Sequence, residues 1–117
     1  MAPNVIELRL VKSTNANQPY FVQAWDVGVR PERQLAFSET YVSKAGARNM
    51  AEALIKGDVV YEVFKAVDDR WYWHVQSRNG EILVRSAYSF ASSAPAQTDA
   101  DRLESNAADA VIVDAAS

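Results

Sequence analysis

The stretch Trp71-Tyr72-Trp73-His74-Val75-Gln76-Ser77-Arg78-Asn79-Gly80-Glu81-Ile82-Leu83-Val84-Arg85-Ser86 reads as two strands joined at Asn79-Gly80. Asn-Gly tolerates the positive φ that both central residues of a type I′ turn require, so the pair marks a short hairpin. A two-residue turn there sets Arg78 opposite Glu81, Ser77 opposite Ile82, Val75 opposite Val84 and Trp73 opposite Ser86. Alternation then sends Trp71, Trp73, Val75, Ser77, Ile82 and Val84 to one apolar side, which is expected to face the core. Tyr72, His74, Gln76, Arg78, Glu81, Leu83 and Arg85 fall on the other side.

Working outward, residues 58–66 read as a strand that enters the hairpin through a tight turn at Asp68-Asp69. Beyond the hairpin, Pro95 opposes a helix running through 87–97. Thr98 then offers an N-cap, with Asp99 and Asp101 in the first turn of a short helix reaching Asn106. Residues 110–113 are a last short strand.

On the N-terminal side, residues 5–11 alternate with Ile6, Leu8 and Leu10 on one face. Residues 12–18 are a polar turn. The strand 19–25 is apolar on both sides, the loop 26–32 holds Gly28 and Pro31, and 33–38 is a third strand. Ser43 caps a helix whose apolar stripe is Ala47, Met50, Ala51, Leu54 and Ile55, and Gly57 stops it.

The order is strand-strand-strand-helix, then the same again, then one strand. Two copies of roughly fifty residues line up, and each unit is expected to bury its apolar face against its neighbour. Ile6-Glu7-Leu8 matches Tyr61-Glu62-Val63, Leu35-Ala36-Phe37-Ser38 matches Leu83-Val84-Arg85-Ser86, and Tyr41 matches Tyr88. The expected fold class is α+β: a tandem repeat of two β-β-β-α units with antiparallel sheets, helices packed on one face, and the C-terminal strand exchanged between halves. The units are 1–57 and 58–117, the second including the last strand, within one compact domain.

With these residues in view the chain resembles the YegP-like family, small bacterial proteins built from a tandemly repeated domain of unknown function. The second copy supplies the family's aromatic strand, turn and closing serine in Trp71, Trp73, Val75, Asn79-Gly80-Glu81 and Ser86. The first supplies Ser38-Glu39-Thr40-Tyr41-Val42-Ser43-Lys44-Ala45 and Asn49. The first copy lacks Asn-Gly, and the second has Phe90-Ala91-Ser92 in place of Ser-Lys-Ala and adds Pro95. The resemblance implies paired three-stranded sheets, each carrying a helix, with strands exchanged between halves. It implies no activity.

Composition narrows the function. The chain has 117 residues, 49% of them hydrophobic, a net charge of −3 and no cysteine. No disulfide framework or thiolate chemistry is available, and a cytoplasmic setting fits. Met1-Ala2-Pro3-Asn4 lacks the basic and apolar segments of a signal peptide, and no apolar run approaches the roughly 20 residues of a membrane span. His74 is the sole histidine, and no Gly-x-Ser-x-Gly nucleophile motif occurs. A hydrolase centred on His74 would require a nucleophile and a pocket beside that ring, so the reading is non-enzymatic. Asp68-Asp69 has no third ligand nearby in sequence, and the glycines are scattered, so no metal and no cofactor are expected.

Two surfaces remain. Phe21, Trp25, Phe64 and Leu83 are apolar residues that alternation pushes outward, a candidate surface for a protein partner or a second copy. Tyr72, His74, Arg78 and Arg85 form a candidate nucleic-acid face, since aromatic and guanidinium groups on an open sheet stack bases and neutralise phosphates. A solvated strand face carries a similar mix, so the protein-binding module, homodimeric in its simplest form, is the leading expectation and single-stranded nucleic acid the alternative.

Overall fold

A computed structural model describes residues 5–14 and 16–116. The elements are β1 (Ile6–Lys12), β2 (Tyr20–Asp26), β3 (Arg33–Ser38), α1 (Lys44–Lys56), β4 (Val59–Lys65), β5 (Trp71–Ser77), β6 (Ile82–Ser86), α2 (Ser93–Asn106), a 3₁₀ turn (Ala107–Asp109) and β7 (Val111–Asp114). The fold is α+β, as expected, but its strands form one seven-stranded sheet in the order β4-β5-β6-β3-β2-β1-β7. Separate three-stranded sheets do not occur, because β3 and β6 pair antiparallel, Ala36 to Ser86 and Phe37 to Arg85, and join the two sets of strands. The sheet is mixed: β7 runs parallel to β1, with Glu7 opposite Val111 and Arg9 opposite Val113.

Period-two alternation sets the faces. Ile6, Leu8 and Leu10 of β1, Val22 and Ala24 of β2, and Trp73 and Val75 of β5 are fully buried on one face, within a single core. α1 supplies Ala47, Met50, Ala51 and Leu54 to that core, and α2 supplies Ala100 and Leu103. α1 lies over β1 and β2, and α2 over β4 and β5. Trp73 is fully buried, while Trp71 on the same face is half-buried.

The Ser43 hydroxyl accepts from the Gly46 N–H at 3.0 Å and caps α1, and Gly57, at φ 84°, ends it in the left-handed conformation. α2 starts earlier than Thr98 promised. Pro95 sits in its first turn, where an N–H has no intrahelical acceptor and its absence is harmless. Asp99 consequently lies a turn inside the helix and faces the sheet.

The central hairpin departs from the two-residue turn. The Ser77 N–H donates to the Glu81 carbonyl at 2.8 Å, and the Gly80 N–H to the Ser77 carbonyl at 3.0 Å, so three residues form the loop. Gly80 alone of these takes a positive φ, 87°, and Asn79 does not. The ladder keeps Val75 opposite Val84 but sets Gln76, not Ser77, opposite Ile82. Leu83 is therefore the extra residue of a β-bulge. It and Val84 both turn into the core, while Ile82 shares the face of Gln76. The expectation that Leu83 faces outward is overturned; it is 8% exposed. β3 carries a bulge in the same place: Ala24 faces Ala36, Trp25 faces Gln34, and both Leu35 and Ala36 are buried.

Candidate functional site on the open face of the sheet

Neither helix covers the other face of the sheet. The strand registers place one row of side chains across it: Glu62, His74, Arg85, Phe37, Gln23, Arg9 and Val113. Phe21, Trp25, Phe64 and Tyr72 share this face, each half-buried. Of the candidate interaction surface, then, Phe21, Trp25 and Phe64 lie where expected and Leu83 does not. They do not form one cluster: Phe21 and Trp25 are on β2, and Phe64 is on the edge strand β4.

Of the candidate nucleic-acid face, Tyr72, His74 and Arg85 come together. Arg78 does not, because it sits in the hairpin loop and bonds Asp58 at 2.9 Å. A groove of about 420 Å³ is lined by Phe37, Phe64, Tyr72, His74, Ile82 and Arg85. The bulge in β6 is what delivers Ile82 to this side.

Each polar group in the groove has a defined state except one. His74 Nε2 lies 2.9 Å from Glu62 Oε1 and donates to it, since a carboxylate only accepts. The Phe64 ring packs 4.8 Å from the imidazole and 6.1 Å from the Tyr72 ring. The Tyr72 hydroxyl donates to Asp68 at 2.6 Å, which holds the Asp68 carboxyl below its ordinary range and pushes the Tyr72 phenol up. The Arg85 guanidinium is exposed and has no carboxylate partner among the described residues. Arg9, at the other end of the same face, is engaged: it bonds Glu7 at 2.9 Å and Glu32 at 3.0 Å and lies over the Trp25 ring at 4.5 Å.

His74 does border a groove, but its Nε2 is committed to Glu62, and among the described residues no hydrogen bond joins it to a hydroxyl. The Ser86 hydroxyl, also in the groove lining, accepts the Trp73 backbone N–H at 3.2 Å. No group of three metal-ligating side chains occurs among the described residues. No helix there is long and apolar enough to cross a membrane.

Sequence reasoning missed a second constellation. A groove of about 720 Å³ between α2 and β3 contains Asp26, Arg33, Asp99 and Arg102. Asp26 and Arg33 are opposite each other where β2 meets β3. Arg102 bonds Asp26 at 2.8 and 3.2 Å, Arg33 bonds Asp99, and Asp99 also accepts the Trp73 indole N–H at 2.8 Å. The signal was the Asp99/Arg102 spacing on one helix face, obscured by placing the helix start too late. These charges satisfy one another and fasten α2 to the sheet.

No family model and no curated protein matches the chain. Solved structures do. The fold is that of the YegP-like proteins, so the resemblance read from the sequence is borne out at the level of fold. The solution NMR structure of yegP from E. coli, a protein of unknown function, matches with a TM-score of 0.80 and 18% identity, over 99% of this chain and 97% of that one. The solution NMR structure of a UPF0339 protein from Shewanella oneidensis matches with a TM-score of 0.78 and 22% identity, over 96% and 92%.

Proposed function

We propose that this chain is a non-catalytic binding module whose working surface is the open face of the sheet. The observation that carries the reading is the set of half-buried aromatic side chains, Phe21, Trp25, Phe37, Phe64 and Tyr72, on a face that neither helix covers. Aromatic side chains left partly open on a sheet face that no helix covers mark an interaction surface. Its partner is another protein, a second copy in the simplest case, meeting the β2 side through Phe21 and Trp25. A cytoplasmic setting belongs to the same reading. Sedimentation of the wild type and of Trp25→Ala tests it: concentration-dependent self-association weakened by the substitution supports the homodimer, and a strictly monomeric wild type at high concentration removes it.

A second reading, single-stranded nucleic acid, draws on the contiguity of Tyr72, His74 and Arg85. Against it, Arg85 is the one unpaired arginine on that face among the described residues, and a polyanion draws its affinity from several. Titration with mixed-sequence oligonucleotides at low salt decides; absence of binding there ends this reading.

We also infer that the chain is a duplicated β-β-β-α unit. In support, the strand order runs β6-β5-β4 and β3-β2-β1 outward from the central pair. Leu35-Ala36 and Leu83-Val84 form bulges at matching places. Ser38 accepts the Val22 N–H at 2.8 Å as Ser86 accepts that of Trp73. Tyr20 bridges Tyr41 as Trp71 bridges Phe90, which pairs Tyr41 with Phe90 in place of Tyr88. On this reading β7, which follows the second helix and pairs with β1, is the exchanged strand.

A further inference from the structure

We propose that the groove around Arg85 is a site for a small anion carrying a planar ring, an aromatic carboxylate or an aromatic phosphate. The inference rests on the open face being the binding surface and assigns one ligand class to part of it.

Arg85 has no carboxylate partner among the described residues, while Glu62, the nearest acidic group in its row, is held by His74 Nε2 at 2.9 Å. Arg9 is held by two carboxylates, Glu7 and Glu32. Arg85 is therefore the one guanidinium on this face, among the described residues, with no carboxylate in ion-pair contact, and its donors are open to an anionic group. A guanidinium presents a planar fork of donors that a carboxylate or phosphate accepts two at a time.

Phe37 is the register neighbour of Arg85, Phe64 and Tyr72 stack at 6.1 Å on the far side of His74, and Ile82 is turned outward by the bulge. A groove of about 420 Å³ holds one ring with its headgroup. Its lining comes from β3, β4, β5 and β6, four adjacent strands, so it is rigid before any ligand arrives. A ring among these side chains lowers the local dielectric around Arg85 and strengthens the charge contact.

The test is a titration of the ¹⁵N-labelled full chain, followed by amide shifts, with phenylacetate and phenyl phosphate. Acetate and inorganic phosphate serve as anions without a ring, and benzyl alcohol as a ring without charge. Saturable shifts centred on Phe37, Tyr72, Ile82 and Arg85 with either ring-bearing anion, at least tenfold weaker with the controls and in Arg85→Gln, support the site. The stronger of the two anions names the headgroup. Arg85→Lys retains part of the affinity. Absence of saturable shifts with both anions, or shifts unchanged in Arg85→Gln, overturns it. Arg85 is exposed, so the substitution leaves the fold intact, which circular dichroism checks. Self-association sensitive to Trp25→Ala but no anion binding removes this inference and leaves the binding-face reading standing; failure of both removes both.

Discussion

Tyr61 is a phenol with its ring in the right place and its oxygen in the wrong one. Its ring stacks on Trp73 at a centroid distance of 6.3 Å. Its hydroxyl is buried and has no partner among the described residues. A buried polar group without a hydrogen bond destabilises the folded state, while a phenyl ring of the same shape does not. Tyr61→Phe is therefore expected to stabilise the fold by about 1 kcal/mol, raising Tm by about 4 °C, as read by thermal or urea unfolding. Burial also pushes the Tyr61 phenol well above the ordinary tyrosine range. A raised folded-state pKa contributes stability that is fully present below the unfolded value, about 10, and is lost as pH rises through the folded one. Wild type is expected to lose stability from about pH 10 upward, and Tyr61→Phe to lose less. Urea midpoints at pH 9 and pH 11 decide; equal losses in the two proteins contradict the assignment.

At the scale of elements, the bulge in β6 decides which residues belong to the core. Leu83 and Val84 both point inward, so Leu83→Ala is expected to cost about 2–4 kcal/mol, as a buried leucine does. Ile82→Ala, on the open face, is expected to cost about 1 kcal/mol or less. The order reverses if strict alternation holds, so two urea melts settle it. The same element measures how legible the fold was. Alternation placed Trp73, Val75, Val84 and Ser86 correctly because each sits opposite one partner. It failed at Ile82 and Leu83, where two residues oppose one and the period slips. Nothing local in Ile82-Leu83-Val84 distinguishes a bulged apolar strand from a regular one, because all three are apolar. α1 was legible from Ser43 to Gly57 because its cap, stripe and stop agree. α2 was legible only in part, since its buried face is built from Ala96, Asp99, Ala100 and Leu103, with one large apolar residue. Tyr72, His74 and Arg85 were visible as a set; the Phe37 wall and the unpaired state of Arg85 depend on the β3–β6 pairing and on long-range ion pairs, which a single strand pattern does not carry.

At the scale of the whole molecule, the sheet is one body because β3 meets β6, and because α2, from the C-terminal portion, is bonded to strands of the N-terminal portion. Asp26 and Asp99 are 4% and 6% exposed, and each binds an arginine from across this junction. Asp99→Ala removes the partner of both Arg33 and the buried Trp73 N–H, and is expected to cost about 2–3 kcal/mol. Asp101→Ala, on the exposed side of the same helix, is expected to cost about 0.5 kcal/mol or less. Chemical denaturation of the two variants reads the difference, and equal midpoints would show that the junction does not depend on these pairs.

The parallel seating of β7 on β1 has a consequence for the nascent chain. β1 is synthesised well before β7, so the hydrogen-bonding groups on its outer side have no strand partner until Val111–Asp114 has been made. Contacts this distant in sequence form slowly, so this edge of the sheet is expected to be among the last to close.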